Sequence, residues 1–265
     1  MTFLKRWDQA VEKAGAPLCI GLDPLLERLP SHLDASPRGV RHFLEEIIHA
    51  TSDLAAAYKP NLAFFEALGA TGWEMLEGLH QLLPPHALLI ADGKLGDIPS
   101  TNEQYTEAVF GRLHAHAVTV NPYLGGQSLA PFLRDPARGA FVLCATSSAG
   151  SEEFQELPIE NRPLFEQVAL RARAWNQHGN VGLVVGTTRP EALERLQELV
   201  PELPLLLPGS GAQGGSAKAA AKLLARNPQG RGLFVWARTI LYASSGRDFA
   251  AAARKAAERC RDELT

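Results

Sequence analysis

The chain has 265 residues, 46% of them hydrophobic and 21% charged, with 23 Gly and 18 Pro; this profile excludes a disordered chain, a collagen-like repeat and a coiled coil. Lys and Arg number 26 against 29 Asp and Glu, so the formal charge of -3 offers no basic field for nucleic acid or an anionic membrane, and a small-molecule ligand is favoured. Cys19, Cys144 and Cys260 are too scattered for a disulfide framework or a zinc motif, and the charged stretch Met1 to Asp8 lacks the apolar core of a signal peptide, so a reducing cytoplasm is expected.

Phe3, Trp7 and Val11 recur at helical spacing, and Gly15 ends a short leading helix. Short apolar runs then predict buried strands at Pro17 to Leu22, Leu54 to Tyr58, Ala87 to Ala91, Ala117 to Val120, Phe141 to Ala145, Val181 to Val185, Leu203 to Leu207 and Leu233 to Trp236. In the second run Leu54 fits the end of the preceding helix equally well. Helical periods fall between the runs: Val40, Phe43, Leu44, Ile47 and Ile48; Leu76, Leu79, Leu82 and Leu83; Arg171 to Gln177; Leu193, Leu196 and Val200 behind Pro190; and Ala217 to Leu224. Eight such units with no linker predict one domain over residues 1–265, a single (β/α)8 TIM barrel with a short N-terminal helix. A doubly wound open sheet is the alternative, because alternation does not show whether a sheet closes. In either architecture chemistry belongs just beyond the C-terminal strand ends.

The first run ends in Asp23-Pro24, a carboxylate at the mouth or a turn-former. The second ends in Lys59-Pro60, where a lysine leaving an apolar run must snorkel outward or meet an acid or anionic ligand. The third leads into Asp92-Gly93-Lys94-Leu95-Gly96-Asp97, in which Asp92 and Lys94 share a face and point to the barrel mouth if Ala91 points outward, while Asp97 sits on a loop free to aim elsewhere. With Lys59 this makes two ammonium and two carboxylate groups, either a solvated rim or a site whose lysine, held protonated between carboxylates, is suited to give a proton to carbon. No Ser-His-Asp or Cys-His set competes; the histidines, such as His114 and His116, fall mainly in helices or surface-like segments. After the seventh run, Pro208-Gly209-Ser210-Gly211-Ala212-Gln213 has neither Walker nor dinucleotide spacing, and with Arg238 after the eighth run it suits a phosphate or is a plain connector.

Together these residues resemble the orotidine 5′-phosphate decarboxylase family. The stretch Asp92 to Thr101 is similar to that family's D-x-K-x-x-D-I-P-x-T, and Ala57-Tyr58-Lys59-Pro60-Asn61 with Phe64-Phe65-Glu66 resembles its longer bacterial branch. Gly21-Leu22-Asp23, Val120-Asn121-Pro122-Tyr123, Thr146-Ser147-Ser148, Pro208-Gly209 and Arg238 extend the likeness over most of the chain. The resemblance implies a homodimer that turns orotidine 5′-phosphate into UMP and CO2 with no metal or cofactor. Lys94 would give the proton to C6, with Lys59, Asp92 and Asp97 completing a charged tetrad; Asp97 and Thr101 would act in the partner's site. Asp23 would bind the ribose along with Lys59, Ser147 the pyrimidine edge, and Gln213 and Arg238 the 5′-phosphate. The alternatives are a magnesium-dependent sugar-phosphate decarboxylase or synthase of the same superfamily, whose acidic metal ligand near the end of strand two is Lys59 in this chain, and a non-catalytic nucleotide-binding barrel.

Overall fold

The computed structural model describes residues 1–210 and 216–264. Its parallel strands are β1 (Leu18–Leu22), β2 (Ala57–Pro60), β3 (Leu88–Leu95), β4 (Ala117–Val120), β5 (Gly139–Ala145), β6 (Val181–Val185), β7 (Leu205–Leu207) and β8 (Gly232–Trp236). The sheet closes: Ile20 on β1 is in register with Tyr58 on one side and Trp236 on the other, which eliminates the open doubly wound alternative. A small antiparallel ribbon, Pro158–Ile159 with Arg162–Pro163, stands apart from the barrel sheet.

Alternation along each strand sorts side chains between two apolar layers. Leu18, Ile20 and Leu22 join the layer shared with the helices, whereas Cys19 joins Ala57, Leu88, Ile90, Ala117, Phe141, Val184, Leu206, Leu233 and Val235 in a separate inner cluster. Ala91 belongs to the outer layer and Ile90 to the inner one.

The leading helix (Phe3–Ala14) is a plug for the barrel. Its buried residues Phe3, Trp7, Ala10 and Ala14 lie on one face and join the inner cluster, with the rings of Phe3 and Trp7 at 6.0 Å and 5.9 Å from that of Phe141. Gly139 opens β5 beneath Phe3, and a Cβ there would lie 2.5 Å from the phenyl ring, so the floor closes only over glycine.

Some boundaries differ from the periodicity. The second strand begins at Ala57, because the helix Pro37–Thr51 runs into a turn in which the Leu54 amide still donates to the Thr51 carbonyl. Leu82 and Leu83 lie in a turn after the helix Ala70–Leu79, and the helix expected from Arg171 starts at Leu164 and ends at Trp175. The helix Phe249–Asp262, which periodicity does not reveal, buries Ala253, Ala256, Ala257 and Cys260, small residues that make a faint apolar stripe. Among the described residues no helix is long and apolar enough to cross a membrane.

Candidate active site

At the C-terminal end of the strands, a cavity of about 240 Å³ is lined by Asp23, Lys59, Asp92, Lys94, Thr119, Ser147 and Arg238, each on or just after a different strand apart from the β3 pair. Alternation explains the placement. Asp23 follows Cys19 and Gly21 inward; Lys59 follows Ala57; Asp92 follows Leu88 and Ile90; Thr119 follows Ala117. Gly21 keeps the mouth open to its neighbour, since a Cβ there would lie 2.7 Å from the Cβ of Ala237.

The third strand does not run straight through the site. Ala91 pairs with Val118 and Leu95 with Val120, so four steps along β3 match two along β4. Within this bulge Lys94 has φ +48°, the left-handed region that a non-glycine residue adopts at a cost of about 1–2 kcal/mol. Such bulges re-aim side chains beside active sites. Here the bulge lets both charged groups of Asp-Gly-Lys face the cavity, Lys94 Nζ lying 2.7 Å from Asp92 Oδ1.

The Asp92 carboxylate is held from three directions: Lys59 Nζ donates to Oδ2, and Lys94 Nζ and the Thr119 hydroxyl both donate to Oδ1. Burial alone pushes this carboxyl's pKa up, yet the charges and hydrogen bonds of Lys59 and Lys94 hold it well below the usual carboxylate range. Lys59 is buried too; desolvation works against its charge, but Asp92 and Asp23 raise its pKa above the ordinary lysine value, so the ion pair persists. The side chain of Lys94 is 46% exposed against 7% for Lys59, which makes Lys94 the ammonium free to meet a ligand.

Asp23 is different in kind. Burial raises its pKa above the ordinary carboxylate value against the pull of Lys59, and its Oδ1 is buried with no hydrogen-bond partner among the described residues. An orphaned acceptor beside a cavity is a place for a ligand hydroxyl. Tyr242 steadies that segment by donating to the Asp23 carbonyl at 3.1 Å and accepting the Leu25 amide at 2.7 Å.

On the opposite wall, Gln155 fixes the turn carrying Ser147: its Oε1 accepts the Thr146 amide at 2.8 Å and its Nε2 donates to the Thr146 hydroxyl at 3.0 Å. Arg238 is exposed at the cavity rim, beyond β8 and beside Pro208-Gly209-Ser210. Gln213 lies outside the described residues.

Asp97 and Thr101 are not among the cavity-lining residues of their own chain. Asn102, fully buried, pins the Asp97 loop by accepting the Asp97 amide at 3.1 Å and donating to the carbonyls of Asp97 and Ser128. Thr119, Tyr242, Gln155 and Asn102 all escaped the sequence reading. Only Asn102, five residues after Asp97 in the charged motif, lies close enough in sequence to be suspected. One histidine also departs from expectation: His116 is half-buried and accepts the Leu89 amide on Nδ1 at 2.9 Å, and burial lowers its pKa to about 4, helped by Arg6 and Arg138.

Residues 16–256 match the Orotidine 5'-phosphate decarboxylase / HUMPS family. The chain belongs to the orotidine 5′-phosphate decarboxylase family. It is 48% identical over 266 residues to the orotidine 5′-phosphate decarboxylase of Roseiflexus sp. (strain RS-1), covering 100% of this chain and 97% of the relative. Against the orotidine 5′-phosphate decarboxylase of Thermomicrobium roseum it is 47% identical, covering 100% and 95%. Among solved structures, OMP decarboxylase from Leishmania donovani superposes with a TM-score of 0.84 at 37% identity, covering 100% of this chain and 99% of that one. The UMP synthase of the same organism gives 0.87 at 39% identity; this chain spans 56% of that longer protein. Full-length identity to decarboxylases, with Lys59 paired to Asp92 at the end of β2, leaves the magnesium-dependent sugar-phosphate reading without support.

Proposed function

We propose that this chain decarboxylates orotidine 5′-phosphate to UMP and CO2, with Lys94 as the proton donor. The observation that carries the reading is the accessible Lys94 ammonium, anchored to a buried Asp92 that is itself held by Lys59, in a cavity rimmed by Arg238. When the bond from C6 to the carboxylate breaks, the electron pair stays on C6 in the ring plane, where no adjacent π-system takes it up, and CO2 leaves. An ammonium fixed beside that carbon stabilises the developing charge because it needs no reorganisation at the moment of reaction. Its proton then forms the C6–H bond of UMP, and the neutral Lys94 amine is recharged from solvent.

The remaining groups suit the rest of the nucleotide. Asp23 is the acceptor for ribose hydroxyls alongside Lys59, Ser147 meets the pyrimidine edge, and Arg238 with Gln213 holds the 5′-phosphate through aimed, charge-assisted hydrogen bonds. Phosphate contacts remote from C6 supply binding energy that organises the site. We read residues 1–265 as one domain of the longer bacterial branch, working in the cytoplasm as a homodimer in which Asp97 and Thr101 complete the partner's cavity. The dimer reading is supported by their place outside their own cavity and by exposed Ile98, Tyr123 and Leu124 on the neighbouring loops.

Purified protein should convert orotidine 5′-phosphate to UMP in the presence of EDTA, followed by the change in pyrimidine ultraviolet absorbance. Folded protein that binds UMP without turning over substrate would instead make it a nucleotide-binding barrel. For the dimer, mixing inactive Lys94→Ala and Asp97→Ala proteins should restore activity through hybrid sites. No recovery despite demonstrated subunit exchange would remove Asp97 from the partner's site.

A further inference from the structure

The β3 bulge leaves the backbone of Asp92, Gly93 and Lys94 out of step with β4, and one side chain of β4 fills the gap. Thr119 is 1% exposed. Its hydroxyl accepts the backbone N–H of Lys94 at 2.9 Å and donates to Asp92 Oδ1 at 2.8 Å, the same oxygen that takes the Lys94 ammonium. A hydroxyl carries one proton and two acceptor lone pairs, so the two contacts fix its polarity: with the Lys94 amide as donor, the hydroxyl proton is directed to Asp92.

We propose that Thr119 is a positioning residue for proton transfer, holding at once the left-handed backbone from which Lys94 projects and the carboxylate oxygen against which its ammonium rests. The proposal rests on the reading of Lys94 as proton donor and goes beyond it in one respect. When Lys94 has given its proton to carbon, Oδ1 loses the charged donor but keeps the Thr119 hydroxyl. The carboxylate therefore stays hydrogen-bonded and anionic, in place to receive the Lys94 ammonium again once solvent has recharged it. These hydrogen bonds of Thr119 run to Lys94 and Asp92, so its effect belongs to the C6 end of the site.

Thr119→Val keeps the shape and removes both hydrogen bonds; Thr119→Ser keeps the hydroxyl. For each, kcat and KM on orotidine 5′-phosphate are measured with the Kd of UMP and of a UMP analogue bearing an anionic oxygen at C6. The valine variant should lose about 10- to 100-fold in kcat, the range expected for a buried hydrogen bond to a charged group. Its affinity for the C6-oxyanion analogue should fall in step while UMP binding stays within about twofold, and serine should recover most of kcat. Three results would overturn the proposal: an unchanged kcat in the valine variant, an equal loss in the serine variant, or UMP affinity falling in parallel with kcat. Should the valine variant not fold, Thr119→Ala against Thr119→Ser makes the same comparison. Wild-type protein that binds UMP but leaves orotidine 5′-phosphate intact would refute the decarboxylase reading itself, an outcome distinct from any of these three.

Discussion

Lys59 and Lys94, 35 positions apart in sequence, grip opposite oxygens of one carboxylate, that of Asp92, yet differ in exposure: Lys59 is buried and Lys94 is open to the cavity. The buried lysine keeps Asp92 ionised, and the ionised Asp92 aims the open one. Removing the central charge should therefore damage both stability and chemistry. Asp92→Asn leaves Lys59 desolvated without its counter-charge, and breaking such a buried pair costs about 3–5 kcal/mol. Urea unfolding should show a loss of that size, and kcat of the folded fraction should fall more than 100-fold by the energy of the lost charge-assisted contacts, about 3 kcal/mol or more.

The barrel floor should separate stability from activity. Trp7 packs against Phe3 and Phe141 at the end of the barrel where the strands begin, away from the charged mouth. Trp7→Ala should cost about 3–5 kcal/mol in urea unfolding through the cavity it leaves. Below the new melting temperature kcat should stay within about twofold of wild type. A large fall in kcat at full folding would show that the floor shapes the site.

The eight strands were legible as short apolar runs with charged residues at the mouth, whereas closure of the sheet was not, because it rests on the pairing of β1 with β8, which alternation does not show. The Asp92 and Lys94 pair was legible from alternation, since Ala91 packs outward as alternation requires. Alternation does not, however, foresee the bulge or the left-handed Lys94, because the β4 side chain that accommodates them, Thr119, lies 25 residues on and reads as an ordinary strand threonine. Tyr242 and Gln155 were hidden similarly: each acts on the backbone of a residue far from it or on a separate turn, and single-chain periodicity carries no such pairing. The leading helix was visible, but its role as a plug depends on Gly139 and Phe141, far along the chain.

Acid should expose His116. Its Nδ1 accepts the Leu89 amide, so protonation must break that bond inside a half-buried site near Arg6 and Arg138. The folded-state pKa, lowered to about 4 from 6.5, means that the unfolded chain binds a proton between these values and the native protein does not. This contribution to stability is thus complete above pH 6.5 and disappears as pH falls through about 4. Melting temperatures across that window should fall with acid in wild type and fall less steeply in His116→Asn. Equal slopes would remove His116 as a source of acid sensitivity.

Arg238 should act on binding. As the exposed guanidinium at the cavity rim, it is placed to meet the dianionic end of a nucleotide. A hydrogen bond to a charged group contributes about 1.5–3 kcal/mol, so Arg238→Ala should weaken UMP binding by about 10- to 150-fold while uridine affinity stays unchanged. Equal losses for UMP and uridine would mean that Arg238 does not read the phosphate.

The role of Lys94 is tested most directly by turnover in D2O. Wild-type protein should release UMP carrying deuterium at C6, and Lys94→Ala should release none while still binding UMP. Near-normal kcat in Lys94→Ala would contradict the account, because the proton at C6 would then come from elsewhere.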